Sequence, residues 1–218
     1  MNFLVRPLAC FVAAAALASP TLAQEDTSTG FRGRLYGAGF RTFSGIAPDF
    51  SAGFGLGLEY RLSPRIGVEV NVSTAEIEDD FDLVHIGVVP FDIESTVRVT
   101  PVILQLDWHL TPGRAVDLHI GPVVGWLFAG DLEVTTRGAL PFPGFSRERR
   151  TTDDTIAFGA HLDLDVPLGD RGLFLAFGAT YLNADLETTK LEPATGRTVE
   201  SSFEFDPLLL KVGLGYRF

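Results

Sequence analysis

The stretch FDPLLLKVGLGYRF, residues 205–218, decides the fold class. Apolar side chains occupy every second position from Leu208 to Phe218, and small or charged residues fill most of the positions between them. A period of two residues is the signature of a β-strand with one apolar face. The sequence therefore predicts a β-strand that runs up to the final residue.

The same alternation recurs along most of the chain and predicts eight strands in all. The predicted strands are 31–42, 53–62, 65–75, 97–110, 115–128, 155–168, 173–185 and 204–218. Short connections rich in Pro and Gly alternate with long ones, and the long connections are 43–52, 76–96, 129–154 and 186–203. This arrangement is typical of an outer-membrane protein. We expect an all-β fold, an eight-stranded antiparallel up-and-down transmembrane β-barrel.

The composition of the two strand faces predicts which face is outside. One face is almost entirely Leu, Val, Ile and Phe, with aromatic residues such as Trp108 and Trp126, while the other is mostly Gly, Ala, Ser, Asp and His. Small polar residues suit the narrow interior of an eight-stranded barrel, and an apolar band suits lipid. The alternative is a soluble lipocalin with its apolar face inward, in which Leu104, Leu106 and Leu164 would face the lumen.

Composition and the N-terminal region indicate an exported protein. The 218 residues carry a net charge of −11 and a single cysteine, which disfavours nucleic-acid binding and excludes a disulfide framework. Residues 1–23 have the order of a secretory signal peptide, with an apolar run and then the small-residue pattern Thr21-Leu22-Ala23. We therefore expect a signal peptide at 1–23, a short polar tail at 24–30, a barrel at 31–218 and location in the bacterial outer membrane.

Several segments, taken together, resemble the OmpW family of small outer-membrane proteins. They are FDPLLLKVGLGYRF at 205–218, LGLEYRLSPRIGVEVNVST at 56–74, VTPVILQLDWHL at 99–110 and YLNADLETT at 181–189. The resemblance implies an eight-stranded barrel with a narrow, largely apolar passage for small hydrophobic molecules. Phe218 after an alternating strand resembles the recognition signal of outer-membrane proteins, so the barrel-assembly machinery is an expected partner.

Inward positions close to the short turns carry charges of both signs. Because buried charges need partners, we expect these residues to pair with one another and block the lower lumen. This predicted ion-pair plug comprises Glu59, Arg61, Glu69, Asp107, Asp117, Asp163, Asp165, Lys211 and Arg217.

Inward positions nearer the long connections are apolar. We name this predicted ligand-binding region the apolar cup, and it comprises Val97, Val99, Ile103, Leu127, Leu182, Phe203 and Phe205. An apolar cup above charged groups favours a binding site or narrow channel for small hydrophobic molecules, released sideways into the membrane. Two alternatives stay open: a structural or surface-interaction barrel without transport, and a lipid-modifying enzyme. The same side chains could also simply fill a narrow barrel as its core.

Three inward histidines, His109, His119 and His161, each lie two residues from an aspartate. No inward Ser or Cys accompanies them at the same height, so we expect ion pairs and no catalytic site. They could hold a metal, but no ligand spacing specifies one, and we expect neither a metal nor a cofactor. The expected partners are outer-membrane lipids, lipopolysaccharide and small hydrophobic solutes.

Overall fold

A computed structural model of the chain describes residues 29–42, 50–86, 89–113, 115–138, 145–192 and 197–218. The predicted signal peptide and most of the polar tail lie outside the described residues. The described chain consists of strands joined by turns. They are β1 (Gly30–Thr42), β2 (Phe50–Ser63), β3 (Ile66–Ile86), β4 (Val89–His109), β5 (Asp117–Ala129), β6 (Leu132–Gly138), β7 (Phe145–Thr152), β8 (Thr155–Pro167), β9 (Leu173–Glu192), β10 (Arg197–Phe205) and β11 (Pro207–Arg217). None of the described residues forms a helix long and apolar enough to cross a membrane.

Eight of the strands pair in a closed ring. Antiparallel ladders join β1, β2, β3, β4, β5, β8 and β9 in that order, and β11 pairs with both β9 and β1. The pairing of Arg32 with Arg217 brings the two ends of the sheet together. The all-β antiparallel fold class is confirmed.

Exposure of the strand faces also confirms the orientation of the wall. Trp108 and Trp126 are 61% and 50% exposed, and Leu104 is 47% exposed. The residues immediately before and after each of them, which point to the other face, are buried. Aromatic pairs occur near both ends of this apolar surface, with ring centroids 4.8 Å apart for Phe31 and Tyr60 and 6.1 Å apart for Trp126 and Phe128. Aromatic girdles of this kind border the lipid-facing band of outer-membrane barrels.

Three of the expected long loops contain strands instead, which corrects the predicted boundaries. β3 and β4 are 21 residues each and remain paired as far as Ile86 and Val89. The region predicted as loop 129–154 contains β6 and β7, which join β4 to β9 above the ends of β5 and β8. Backbone hydrogen bonds form these extensions, whose polar sequences carry little of the apolar alternation that identified the other strands.

Near the upper lumen the ladders of the wall are interrupted at two prolines; lower down, Pro122 interrupts the β4–β5 ladder between the rungs Gln105–Val123 and Trp108–Ile120. Between the rungs Val72–Val102 and Ala75–Val99 no backbone pair forms, and this break lies opposite Pro101, which has no N–H to donate. At Asp206-Pro207 the chain passes from β10 to β11, and the rungs to β9 stop at Phe205 and resume at Leu208.

A third break separates β8 from β9. Their last rung is Phe158–Asn183, and β9 regains a partner on that side only where Thr188 pairs with Thr152 of β7. The backbone N–H of Asp153 donates to the carbonyl of Glu187 at 2.9 Å, which closes the upper edge of the break. Between these points β9 is held by β10 alone.

Candidate functional site: a lumen divided into two halves

The pleat of the ring strands sends alternate side chains into the lumen. Residues near the short turns meet at one height, and residues near the extended hairpins meet at another. The buried charged residues belong to the first group and most of the buried apolar residues to the second. The lumen therefore has a charged lower half and an apolar upper half.

Arg34 on β1 is the central base of the ion-pair plug. Its Nη2 donates to Oε2 of Glu59 and to Oδ2 of Asp165, both at 2.9 Å, and its Nη1 donates to Glu69. All four side chains are at most 5% exposed. One guanidinium thus connects β1 to three other strands, which suits its fixed fork of donors.

Two further arginines supply positive charge to the plug. Nη1 of Arg32 donates to Asp117 at 3.1 Å and to Asp165 at 3.3 Å. Arg61 also contacts Asp117, and its Nε lies 3.5 Å from Oε1 of Glu59. Lys211 lies higher in the lumen, where its Nζ is 3.1 Å from Oδ1 of Asp163.

Sequence reasoning missed Arg32 and Arg34 as members of the plug. Both occupy the same alternate positions as Tyr36, Ala38 and Phe40 in the Gly-rich strand β1. The alternation of β1 would have identified both arginines as inward-facing. Arg217, which was predicted in the plug, lies at the margin: it is only partly buried, and its guanidinium is 5.8 Å from the centroid of the Phe174 ring.

The three histidines also lie within the plug. His109 is 3.0 Å from Glu59 and 3.1 Å from Asp117, and its ring centroid is 4.8 Å from that of His119. His161 is 2.8 Å from Asp163. Each imidazole therefore has carboxylate partners, and hydrogen-bonded polar groups of this kind can be buried without a large penalty.

The upper lumen is lined by apolar side chains that contact one another. Of the residues predicted for the apolar cup, Val97, Val99, Ile103, Leu127, Leu182 and Phe205 are all buried. The strand pairing places Phe203 opposite Leu186, and its side chain lies outside the described part of the structure. Val123, another inward apolar position of the upper half, belongs to the same cluster, which also includes residues that were not predicted: Tyr36, Phe40, Ile77, Leu186 and Leu209.

A small void marks the boundary between the two halves. It has a volume of about 10 Å³ and is lined by Arg34, Tyr36, Asp163 and Lys211, among others. That volume is close to the minimum that holds one water molecule. A solute travelling straight through the lumen would have to displace the ion pairs below this void.

The closed ring, its apolar exterior and its polar lower lumen define a β-barrel of the outer-membrane type. The model of the outer membrane protein beta-barrel domain family matches residues 9–218, and the chain belongs to this family. Membership implies location in the outer membrane.

Several solved barrels share the fold. The outer membrane protein OprG from Pseudomonas aeruginosa has a TM-score of 0.61 at 14% identity, covering 88% of this chain and 97% of OprG. A major outer membrane protein from Thermus thermophilus has a TM-score of 0.54 at 16% identity, covering 88% of this chain and 100% of that one. AlkL, solved in DMPC lipid bilayers, has a TM-score of 0.53 at 17% identity, covering 92% of this chain and 95% of AlkL. No curated protein matches the sequence significantly.

Proposed function

We propose that the protein is an OmpW-type barrel that binds small hydrophobic molecules in its apolar cup and releases them sideways into the membrane. The observation that carries this proposal is the division of the lumen. Apolar side chains line the upper half, while Arg34, Asp165 and their partners fill the lower half. An apolar solute gains by entering the first region and would have to separate buried ion pairs to cross the second.

The breaks in the wall support a sideways route. Leu182 and Leu186 of the apolar cluster lie on β9, at or next to the stretch that has no partner on its β8 side. On its other side, β9 loses backbone rungs near Pro207, where the side chain of Asn183 donates to Asp206 at 2.7 Å. Few backbone hydrogen bonds would have to open here for a solute to pass from the cup into lipid.

Uptake into liposomes tests the proposal. The protein is refolded into lipid vesicles, and transfer of a fluorescent apolar probe is compared between wild type and Phe205→Asp. Phe205 is 4% exposed within the cup, so the introduced carboxylate should lower uptake at least about tenfold, since burying an unpaired charge is costly. Val199→Asp is the matched control on the same strand, because Val199 is 46% exposed. Equal uptake by both variants and wild type would contradict the proposal.

We also propose two partners on separate grounds. The polar extensions β3–β4 and β6–β7 would meet lipopolysaccharide above the apolar band. Phe218, which is 80% exposed beside Tyr216, would be read by the barrel-assembly machinery. Deleting Phe218 should slow assembly in cells without altering the refolded barrel.

A further inference from the structure

Four buried groups on three neighbouring strands form a cluster that the hydrophobic-solute function does not use. Asp107 on β4, His119 on β5, and His161 and Asp163 on β8 each offer one ligand atom, and these atoms lie within 4.8 Å of one another. The side chains of the first three are 0% exposed and that of Asp163 is 7% exposed. The ladders β4–β5 and β5–β8 fix their relative positions.

Two of the distances within the cluster are those expected between ligand atoms of a tetrahedral metal centre. Oδ1 of Asp107 lies 3.4 Å from Nδ1 of His119 and 3.2 Å from Nε2 of His161. Ligand atoms around a tetrahedral zinc ion are about 3.3 Å apart, given metal–ligand bonds of about 2.0–2.1 Å. Two imidazoles with carboxylates are a donor set that suits Zn²⁺ and similar transition metals, whereas Mg²⁺ and Ca²⁺ prefer oxygen ligands.

The charges of the plug leave Asp107 without a base. Every other buried carboxylate there, from Glu59 to Asp165, lies within 4.0 Å of an arginine or lysine. The ion pairs of Asp107 among the described residues are with His119 and His161 alone. Its Oδ2 has no hydrogen-bond partner although the residue is fully buried. An unpaired buried carboxylate oxygen is costly, and a cation would satisfy it.

The charge count of the buried members of the plug, without Arg217 at its margin, agrees with a divalent ion. Among the described residues that are buried, six carboxylates accompany four arginine and lysine side chains, so with neutral histidines the excess is two negative charges. One Zn²⁺ neutralises that excess without further groups. Imidazoles that bind a metal must be neutral, so the count and the donor set are consistent with each other.

A break in the β4–β5 ladder leaves a backbone carbonyl beside His161. Pro122 of β5 has no N–H, and no rung forms between it and Leu106 of β4. Nε2 of His161 lies 3.3 Å from the carbonyl oxygen of Leu106, and Nδ1 lies 2.8 Å from Asp163. When Nε2 binds an ion beside Asp107, Nδ1–H donates to Asp163, which holds the ring in place, as is usual for metal-binding histidines.

We propose that Asp107, His119 and His161, with Asp163 holding the His161 ring, form a buried binding site for a divalent transition metal of the Zn²⁺ type, which closes the plug. Lys211 would remain beside Asp163 and Gln105 beside Asp107, where their present contacts are 3.1 Å and 2.9 Å.

Metal analysis of the refolded barrel tests the proposal. Protein refolded in detergent with Zn²⁺ and then dialysed should retain one ion per chain, and titration calorimetry on metal-free protein should give the same stoichiometry. Asp107→Asn and His161→Gln should each weaken binding at least about 100-fold, because loss of even an outer-shell group costs about 10–100-fold. His109→Gln is the matched control: it alters a histidine of the plug that is outside the cluster, and should leave affinity within about twofold.

A measurement on wild type keeps the test independent of variant folding. Zinc K-edge absorption of the loaded protein should show histidine nitrogens and carboxylate oxygens around the ion, and Co²⁺ in its place should give the visible spectrum of a tetrahedral site. Absence of bound metal after dialysis, a spectrum without histidine ligands, or equal loss of binding in His109→Gln would each overturn the proposal.

Discussion

Arg34 on β1 and Asp165 on β8 are joined across the lumen, with 2.9 Å between Nη2 of the arginine and Oδ2 of the aspartate. They are 131 residues apart in the chain, and β1 and β8 are not neighbours in the ring. Because both side chains are at most 5% exposed, water cannot replace either partner. The bond therefore ties two separate parts of the wall together.

The first prediction concerns this arginine. Arg34→Met would leave Glu59, Glu69 and Asp165 without their shared base in a buried setting. Removal of one partner of a buried pair costs about 3–5 kcal/mol, and we expect a loss of at least that size in the free energy of unfolding. Urea unfolding of the barrel in lipid vesicles, followed by tryptophan fluorescence, measures the change.

The control for this prediction is an exposed ion pair. Nη2 of Arg98 lies 3.0 Å from Glu76, with the two side chains 70% and 49% exposed. Arg98→Met should change stability by less than about 1 kcal/mol, since solvent screens such pairs. A similar loss in both variants would mean that the arginines act through packing and not through the buried charges.

The contrast between Arg34 and the predicted members of the plug shows what the sequence alone can tell. Alternation places each of these residues on the inner face, because a strand has only two faces. It does not say that Arg34 meets Asp165, since that depends on the stagger of strands around the ring. The strands β6 and β7 were missed for a different reason: their Thr, Arg and Glu residues form no apolar stripe.

The second prediction compares how much Lys211 and Arg34 contribute to the stability of the plug. Lys211→Met should cost less than Arg34→Met, because Asp163 keeps hydrogen bonds with Gln105 at 3.2 Å and with His161 at 2.8 Å. We expect a loss of about 1–3 kcal/mol, the penalty of a weakened buried acceptor. The same unfolding assay measures it, and an unchanged midpoint would indicate that water fills the lower lumen.

The third prediction compares two glycines on neighbouring strands. A Cβ on Gly213, which faces inward, would lie 2.6 Å from Cα of Tyr36 and closer still to the carbonyl of Leu35. Since backbone atoms cannot move without a large cost, Gly213→Ala should lower the free energy of unfolding by about 1–3 kcal/mol, as overpacking does.

Gly37→Ala is the matched change, because its Cβ would point outward and meet only the carbonyl oxygen of Val212 at 3.8 Å. It should leave stability within about 0.5 kcal/mol, as surface changes usually do. Equal effects would show that the lumen adjusts around Gly213.

The last prediction locates the exit route. Extending the β8–β9 register two places beyond Phe158–Asn183 puts Ile156 opposite Asp185, within the break in the wall. In protein refolded without residues 1–23, which include Cys10, the double change Ile156→Cys and Asp185→Cys supplies the only two cysteines. Their disulfide should close the break and lower uptake of the apolar probe, and a reducing agent should restore it.

The same cross-link on an intact rung is the control for the route. Leu162→Cys with Ala179→Cys joins the same strands where they are already paired, so its oxidation should leave uptake unchanged. Cα atoms of a disulfide must lie about 4.4–6.8 Å apart, and oxidation of the Ile156–Asp185 pair therefore also measures how far the break opens.

The alternative exit lies between β3 and β4. It would be indicated if uptake stays the same when the Ile156–Asp185 pair is oxidised, and falls when Pro101→Val supplies an N–H to the β3–β4 ladder. No rungs join β8 to β9 over Ala184–Leu186, whereas at Pro101 the side chain of Thr100 still bonds to Thr74 at 3.2 Å. We therefore expect the exit at β9.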